Sequence, residues 1–454
     1  MVLLILGCLS EPTPAPSGAA VEPYPDIFLV TTDATNSAYL GSEAAQSTTP
    51  NLDQLFSESV VLPHTLTVRG LTIISMPSFL SGFYPRTTKS RGDNTKSWSQ
   101  TVPLIQERLQ QAGYQTFGFS SNYCTYIDFG MDTSFCTADP GAAYFTDEQV
   151  AGDGLLVDGL LQALDERDPK KPIFAWIHLI LPHSQYDRLE PWYSILHPQP
   201  FTGRFEPSSA DALDQRMLQR RPLSLDERQE MDAWYQSGLG QTDAHIGRLL
   251  LGLKARNLYQ DAIVAFGSDH GEELARRNDQ PYFEHGCSPY NDVMRVTWSI
   301  RAPGLAPTGL EAWVSSTDMA PTLMELAGVP WKGTAAEGRS LVPLLRQENA
   351  DVVPVYAERS TNTAMVILND FKYLLNPTGD FYGCAPYQDD GSAYTAPTHA
   401  LWDLKADPRE QQNLSGEGRA EEAELRQLLC TWVTTPGWTG GGSTTALHDD
   451  CTGG

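Results

Sequence analysis

The sequence predicts an α/β fold with a large, mostly parallel central β-sheet that carries helices on both faces. Apolar runs with the composition of buried strands alternate with amphipathic helical segments, an order typical of parallel strands joined by crossover helices. Polar residues recur at or just beyond the carboxyl ends of these strands, the edge where open α/β sheets bind ligands. Toward the C-terminus the pattern changes to short strands followed by one helix, which predicts a smaller α+β subdomain with a short antiparallel sheet.

Each predicted strand of the main sheet is an apolar run that ends in polar residues or proline. In chain order these runs are PDIFLVTTD (25–33), the run ending at Ser120-Ser121-Asn122, KPIFAWIHLILPH (171–183), DAIVAFGSDHGEE (261–273) and RVTWSIRAP (295–303). Asp33, His183 and the pair Asp269-His270 follow three of the strands. These side chains can therefore converge although they are far apart in sequence.

Helical segments separate the strands. TVPLIQERLQQAG (101–113) is amphipathic and closes at Gly113, and Ser224 with Glu227 forms a capping box that opens a helix to about Asn257. DGLLVDGLLQALDE (153–166) and DMAPTLMELAG (318–328) are also predicted to be helical. After about Gln347 the predicted strands are VVPVYAER, TAMVILNDFKYLLN and THALWDL, and the helix is AEEAELRQLLCTWV.

Composition excludes several classes of partner. The 454-residue chain is 41% hydrophobic, which is typical of a packed globular protein, and its net charge is −25 with a pI near 4.6. Such a surface repels nucleic acid and anionic lipid, so neither is an expected partner. A small anionic substrate would have to be held by a local cation.

The first 23 residues, MVLLILGCLSEPTPAPSGAAVEP, predict export. A short apolar run precedes Cys8, and a Pro/Ala/Ser/Glu stretch without hydrophobic period follows it, which is typical of a signal, a lipid-modified cysteine and a flexible tether. We therefore expect a periplasmic or cell-surface protein whose one membrane contact is a lipid anchor at Cys8. The alternative is a misplaced start in front of an ordinary soluble protein.

The cysteines beyond Cys8 show no CxxC pair, so a zinc knuckle is not expected. Their even number in an exported chain fits disulfides, and free buried thiols are the alternative. The pair Cys124–Cys136 closes the easiest loop, and Cys451 is a candidate to fix the C-terminal tail. The six are Cys124, Cys136, Cys287, Cys384, Cys430 and Cys451.

Two carboxylates and one imidazole at strand ends form a candidate metal site. Asp33, Asp269 and His270 are suitable ligands for one divalent cation, which could be Ca, Mn, Zn or Mg. Thr72 precedes a segment that can be helical, so its hydroxyl is expected at a helix N-terminus, where the dipole favours an alkoxide. A bound cation would activate this hydroxyl as a nucleophile.

The chain resembles the sulfatase family of the alkaline phosphatase superfamily from Pro25 to about Val433. The order and spacing of many short motifs carry the resemblance. They are LVTTDATNSAYLG, TTPNLDQLFSESVVL, SFLSGFYPR, LQQAGYQTFGF, FAWIHLILPHSQY, TDAHIGRLLLGLKARNLYQDAIVAFGSDHGEEL, EHGCSPYNDVMRV, TDMAPTLMELAGVP, GRSLVPLL and WDLKADPREQQNL. The resemblance implies an alkaline-phosphatase-like α/β/α sandwich as the catalytic domain (24–346). The sequence pattern after it predicts the α+β subdomain at 347–435 and a Gly/Thr-rich tail at 436–454.

The resemblance also implies roles for individual residues. Asp33 matches the first metal-binding aspartate, and Asp269 with His270 matches the metal-binding pair, although many sulfatases have Asn at the position of His270. Thr72 stands where the family has its nucleophile, and we include it among the metal ligands. His183 matches the histidine that lines the anion pocket, and His285 matches a basic position that contacts substrate or metal, so both are expected to be catalytic. Asn122 and Arg69 match no family position, but both are candidates for contacting the anion.

Departures from the family pattern are informative. Most sulfatases have Cys or Ser in a C/S-x-P-x-R motif, which is oxidised to formylglycine. Here the nucleophile position is Thr72, Met76 replaces the motif's arginine, and Ala34 replaces a second aspartate. Threonine cannot become formylglycine, so none is expected. Ser75 in SMPS resembles the motif serine, but its spacing to Gly82 is wrong and Phe79 stands where arginine should be, which favours Thr72.

These features predict a metal-dependent hydrolase of phosphodiesters or phosphonate monoesters that uses a threonine nucleophile. The alternatives are a sulfuric ester hydrolase, a phospho-group transferase and, from another class, an inactive surface binding lipoprotein. Three further residues are expected to be structural: His178 as a packed core histidine within a strand, and Glu272 with Glu273 as acidic residues that complement a helix terminus.

Overall fold

The structure, a computed structural model, describes the residues that form the sheets, their covering helices and most connections. The described ranges are 24–44, 47–88, 102–121, 133–136, 146–184, 186–197, 224–274, 276, 283–286, 288–348, 350–360, 362–379, 395–435 and 446–453. The predicted lipid site Cys8 and the predicted anion-binding residue Asn122 lie outside these ranges, so both stay predictions.

Nine strands of the described chain form the main sheet, in the order β10–β2–β9–β6–β1–β5–β3–β4, with β11 also paired to β2. Their bounds are β1 (Ile27–Thr32), β2 (Val60–Leu66), β3 (Gln115–Ser120), β4 (Thr133–Cys136), β5 (Ile173–Leu179), β6 (Ile263–Ser268), β9 (Arg295–Arg301), β10 (Thr308–Gly309) and β11 (Val314–Ser315). The strands β7 (Glu273–Leu274) and β8 (Phe283–Glu284) form a separate antiparallel pair.

The main sheet is mostly parallel, as predicted. β1 pairs in parallel with β5 and β6, and β3 continues the parallel order beyond β5. β9 runs antiparallel to both of its neighbours, β6 and β2. β2 lies outside the strands predicted from sequence, because Pro63 and His64 interrupt its apolar pattern and both are only half-buried.

Helices cover both faces of this sheet. Their bounds are α1 (Pro50–Ser57), α2 (Thr72–Ser81), α3 (Pro85–Thr88), α4 (Ile105–Gln111), α5 (Thr146–Asp165), α6 (Trp192–Leu196), α7 (Leu225–Ala255), α8 (Asn291–Met294), α9 (Met319–Leu326), α10 (Val342–Leu345), α11 (Ala420–Val433) and α12 (Ala446–Thr452). The predicted capping box of Ser224 and Glu227 opens α7. Among the described residues, no helix is both long and apolar enough to cross a membrane.

The two faces of the sheet bury separate apolar cores. Successive side chains of a strand point to opposite faces, so Leu29 packs with α2, α4 and α9, whereas Phe28 packs with α1, α5 and α7. This arrangement is the predicted α/β/α sandwich.

The register of the central strands explains why distant polar residues meet. Thr32, the last residue of β1, pairs with Leu179 of β5 and with Ser268 of β6. The carboxyl ends of the three strands are therefore level, and the next residues of β1 and β6, Asp33 and Asp269, leave the sheet side by side.

The second sheet is antiparallel, with the order β12 (Val355–Ser360), β13 (Thr363–Leu368), β14 (Phe371–Leu375) and β15 (His399–Asp403). Helix α11 packs on one face of it through Leu425 and Leu429. A disulfide joins Cys430 of α11 to Cys451 of α12, so the end of the predicted tail is helical and is fixed by Cys451. The predicted Cys124–Cys136 pair stays a prediction because Cys124 lies outside the described ranges.

Candidate active site

Two carboxylates and one imidazole from adjacent strand ends form the centre of the site. Asp33 and Asp269 are buried, and His270 Nε2 lies 3.5 Å from Asp33 Oδ1 and 3.5 Å from Asp269 Oδ2. His270 Nδ1 is within hydrogen-bond distance of the Gly271 carbonyl oxygen, at 2.9 Å, so the ring donates through Nδ1 and leaves Nε2 for a ligand. The structure thus brings together three of the four side chains that the sequence predicted as metal ligands.

His178, predicted to be a packed core residue, is buried but also belongs to this centre. Its Nδ1 contacts Thr31 Oγ1 at 2.9 Å, and its Nε2 lies 3.6 Å from Asp33 Oδ2. One donor atom from each of Asp33, His178 and Asp269 lies within 4.8 Å of the other two. The sequence feature that could have identified His178 as a site residue is its place as a single polar residue near the carboxyl end of an otherwise apolar strand.

The donor set fits a divalent cation. Within the described part of the chain, Asp269 Oδ2 and His178 Nε2 are buried and have no hydrogen-bond partner. Buried polar atoms without partners are rare in native proteins. Here His178 Nε2 lies 3.6 Å from Asp33 Oδ2, and Asp269 Oδ2 lies 3.5 Å from His270 Nε2. Asp33, Asp269 and His270 would hold the ion, with His178 as a further nitrogen donor.

The electrostatics of the cluster also favour a bound cation. Burial opposes the charge of Asp33, but the adjacent His183, His178 and His270 outweigh it and hold the pKa of this carboxyl well below its usual range. Burial and the neighbouring Asp33 together raise the pKa of Asp269 to about 7. Burial lowers the pKa of His270, which favours the neutral ring that binds metal ions.

Thr72 is the first residue of α2 and faces this cluster. Its hydroxyl lies 3.3 Å from each carboxylate oxygen of Asp33 and 3.2 Å from His270 Nε2. Ser75 is buried one turn later, and its hydroxyl donates to the Thr72 carbonyl oxygen at 3.4 Å, within the helix. The geometry therefore places Thr72, not Ser75, against the predicted metal ligands.

Two further histidines line the same site. The ring of His285 lies 4.4 Å from that of His270 and 4.7 Å from that of His183, centroid to centroid. Burial alone would lower the pKa of His183, but Asp33 and Glu272 raise it above its ordinary value. Burial and the adjacent His183 lower the pKa of His285 to about 3. His183 therefore favours its protonated form, and His285 favours its neutral form.

Glu272 differs from its predicted role. In the described part of this segment the chain continues from Gly271 into the short strand β7, so Glu272 does not lie at the start of a helix. The side chain is fully buried, and both of its oxygens lie 3.2 Å from His285 Nδ1. Burial raises the pKa of this carboxyl to about 7. Sequence alone gave no sign of this contact across 13 residues.

Arg69 is mostly buried and faces the C-terminal subdomain. Its guanidinium lies 3.9 Å from Glu358 of β12, and the amide of Glu358 donates to the carbonyl of Val68 at 3.0 Å. These contacts join the second sheet to the segment just before Thr72. A direct role of Arg69 in binding the anion stays a prediction.

Comparisons with known proteins agree with this architecture. A family model described as Sulfatase matches residues 25–329. The chain is 23% identical over 453 residues to a choline-sulfatase of Rhizobium meliloti (strain 1021), covering 87% of this chain and 83% of that protein.

Solved structures share the fold. A phosphonate monoester hydrolase from Silicibacter pomeroyi matches with a TM-score of 0.69 and 18% identity, covering 90% of this chain and 94% of that one. A protein solved in complex with its substrate D-glucosamine-2-N,6-O-disulfate matches with a TM-score of 0.70 and 21% identity, covering 90% and 97%. The predicted α/β/α fold is thereby confirmed. Because the family model spans more than half of the sequence, this chain belongs to the sulfatase family.

Proposed function

We propose that this sulfatase-family protein is a metal-dependent hydrolase of phosphodiesters or phosphonate monoesters and that Thr72 is its nucleophile. The observation that carries the proposal is the Thr72 hydroxyl, which lies within 3.3 Å of the Asp33 carboxylate and 3.2 Å of His270 Nε2. Threonine cannot be converted to the formylglycine that other sulfatases use to cleave sulfate esters. This difference favours attack at phosphorus.

A divalent cation held by Asp33, Asp269 and His270 would lower the pKa of the Thr72 hydroxyl and offset negative charge on the ester. Thr72 Oγ then forms a bond to phosphorus while the bond from phosphorus to the leaving oxygen breaks, which leaves Thr72 esterified to the phosphoryl group with its remaining substituent. The amides at the N-terminus of α2 favour the negative charge on the other phosphoryl oxygens. His183 donates a proton to the leaving oxygen. Water attacks phosphorus in the second half, and Thr72 is released.

A second candidate is hydrolysis of sulfuric esters at the same site. It is favoured by the curated relative, which is a choline-sulfatase, and by the solved neighbour whose substrate is a sulfated glucosamine. The solved phosphonate monoester hydrolase favours the first candidate. A phospho-group transferase would use the same first step and would replace water by an alcohol acceptor.

The test compares a bis-aryl phosphate, an aryl phosphonate and an aryl sulfate with Mn, Zn, Mg and Ca. We expect phosphodiester or phosphonate turnover that Thr72→Ala lowers by at least about 10³-fold, because the variant has no nucleophilic oxygen. Ser75→Ala is the matched control and should change turnover by less than a few fold. Sulfate turnover that persists in Thr72→Ala would contradict the proposal. Absence of turnover and of bound metal in the wild-type protein would favour a binding protein.

We also propose that the protein is exported and anchored through lipid on Cys8, as the composition of residues 1–23 favours. Expressed from its full-length sequence, the protein should sediment with membranes. The Cys8→Ser variant should be released into the soluble fraction. Equal distribution of the two proteins would argue against the anchor.

A further inference from the structure

Glu272 is a buried carboxylate that the proposed reaction does not yet use. Its side chain is fully buried beside the candidate nucleophile's pocket, and its two oxygens are equidistant, at 3.2 Å, from Nδ1 of His285. A carboxylate in this position accepts a hydrogen bond from the Nδ1–H group of a neutral imidazole. The other ring nitrogen, Nε2, then carries the lone pair.

The backbone around Glu272 is held from several sides. Its carbonyl oxygen accepts a hydrogen bond from Asn36 Nδ2 at 2.8 Å, and the amide of Gly271 donates to the Val293 carbonyl at 2.8 Å. A Cβ on Gly271 would lie 2.2 Å from the backbone oxygen of Asp292, so the two segments are in close contact. The carboxylate therefore has a fixed position, and it can in turn fix the orientation of His285.

We propose that Glu272 is a positioning residue: it holds His285 with Nδ1 protonated, so that Nε2 accepts the proton of the water that hydrolyses the threonine ester. This inference rests on the proposed function, since it assigns a role within the second half of that reaction. It also divides the work of the two histidines, with His183 as proton donor in the first half and His285 as proton acceptor in the second.

In this step water is the nucleophile and Thr72 is the leaving group. The water oxygen forms a bond to phosphorus, or to sulfur in the sulfate case, and its proton moves to His285 Nε2. The bond between phosphorus (or sulfur) and Thr72 Oγ breaks, and its electron pair stays on the threonine oxygen. His285 later returns its proton to solvent or to Thr72. Glu272 keeps its hydrogen bond to Nδ1 throughout and exchanges no electrons.

A double-mutant cycle tests whether Glu272 acts through His285. We expect Glu272→Leu to lower steady-state turnover by roughly 10–100-fold, the usual effect of removing a residue that orients a functional histidine. His285→Ala should lower it by roughly 10²–10⁴-fold, as for loss of a general base. The double variant should be no slower than His285→Ala, because Glu272 then has nothing to position.

Two matched variants separate positioning from a general effect on folding. Glu272→Gln keeps an oxygen that can accept the Nδ1–H bond, so it should retain most of the activity lost in Glu272→Leu. Glu273→Gln changes the next buried carboxylate, whose oxygen accepts a hydrogen bond from Ser288 Oγ at 3.0 Å, and should leave turnover within a few fold of wild type.

Trapping of the covalent intermediate gives a readout that a structural role would not move. If His285 serves the second half, both Glu272→Leu and His285→Ala should release leaving group in a burst and accumulate a modified Thr72, seen by intact-protein mass. Losses that add in the double variant would overturn the inference. If the variants showed neither the burst nor the modified Thr72, the inference would also be overturned.

A measurement on the wild-type protein covers the case in which Glu272→Leu does not fold. The wild-type protein is labelled with nitrogen-15 at its histidines and studied by NMR. The signals of His285, assigned by their loss in His285→Ala, should be those of the Nδ1–H tautomer. An Nε2–H form would overturn the inference. The proposed function fails separately, if wild type turns over none of the three esters or if Thr72→Ala keeps full turnover.

Discussion

The C-terminal sheet and the carboxyl edge of the main sheet both bury charged side chains, but the surroundings of these charges differ. Lys372 of β14 is fully buried, and its Nζ donates to Glu410 at 2.6 Å, to Asn291 Oδ1 at 3.0 Å and to the Pro289 carbonyl at 2.7 Å. The other carboxylate oxygen of Glu410 accepts a hydrogen bond from the backbone N–H of Asn291. Opposite charges meet here, and each has hydrogen-bond partners.

At the edge of the main sheet, like charges meet instead. Asp33 and Asp269 lie together, and Asp269 Oδ2 and His178 Nε2 have no hydrogen-bond partner within the described ranges. Breaking a paired buried charge is costly, whereas burying carboxylates side by side is itself unfavourable. The first arrangement therefore stabilises the fold, while the second needs a ligand to complete it. Variants of the two regions should therefore differ in their effect on stability.

The largest expected effect is on the paired charge. Lys372→Met should lower the free energy of unfolding by about 3–5 kcal/mol, because it leaves Glu410 buried without its cation. Urea unfolding at constant pH measures the change. The double variant Lys372→Met/Glu410→Gln should recover much of the loss, since it buries no net charge. An equal loss in the double variant would show that charge pairing is not what stabilises this region.

The disulfide of the C-terminal region should have the next largest effect. Cys430 and Cys451 are separated by 21 residues, and a loop of that size predicts a stabilisation of about 3 kcal/mol. Reduction, or the double variant with Ala at both positions, should lower the unfolding midpoint without changing ester turnover at the other sheet. If the variant lost turnover under conditions where it stays folded, the disulfide would also support the active site, contrary to this prediction.

Glu358 lies between the two regions and predicts a pH dependence. Burial raises the pKa of this carboxyl from 4.5 to about 7, and Arg69 only partly opposes the shift. The folded state therefore holds a proton that the unfolded state releases, so stability should fall as pH rises from about 4.5 to about 7. The size is of the order of 2–3 kcal/mol. Unfolding of Glu358→Gln across this range should show a flatter profile, and an unchanged slope would count against the assignment.

The smallest expected effect has the opposite sign. Asp269→Asn removes one of two adjacent buried charges and should stabilise the metal-free protein by on the order of 1–2 kcal/mol, as often occurs at functional sites. The same variant should bind divalent metal more weakly, measured by metal content after dialysis. If Asp269→Asn destabilised the metal-free protein, the main-sheet edge would resemble the Lys372 site, and the comparison would fail.

Much of the architecture could be predicted from sequence. The strands β1, β3, β5, β6 and β9 and the helices α4, α7, α9 and α11 match the segments predicted for them. They were predictable because apolar periodicity, caps such as Ser224 and glycines such as Gly113 act within a few residues. β2 was missed because the consecutive half-buried residues Pro63 and His64 interrupt its apolar pattern.

By itself, the sequence determined which elements form and that Asp33, Thr72, Asp269 and His270 stand at the ends of strands or the start of a helix. Those positions follow from short-range patterns. Only the tertiary structure decided that His178 turns toward Asp33, that Glu272 contacts His285 and that Arg69 faces Glu358. The direction of a buried polar side chain is set by partners from distant segments, and local patterns carry no information about those partners.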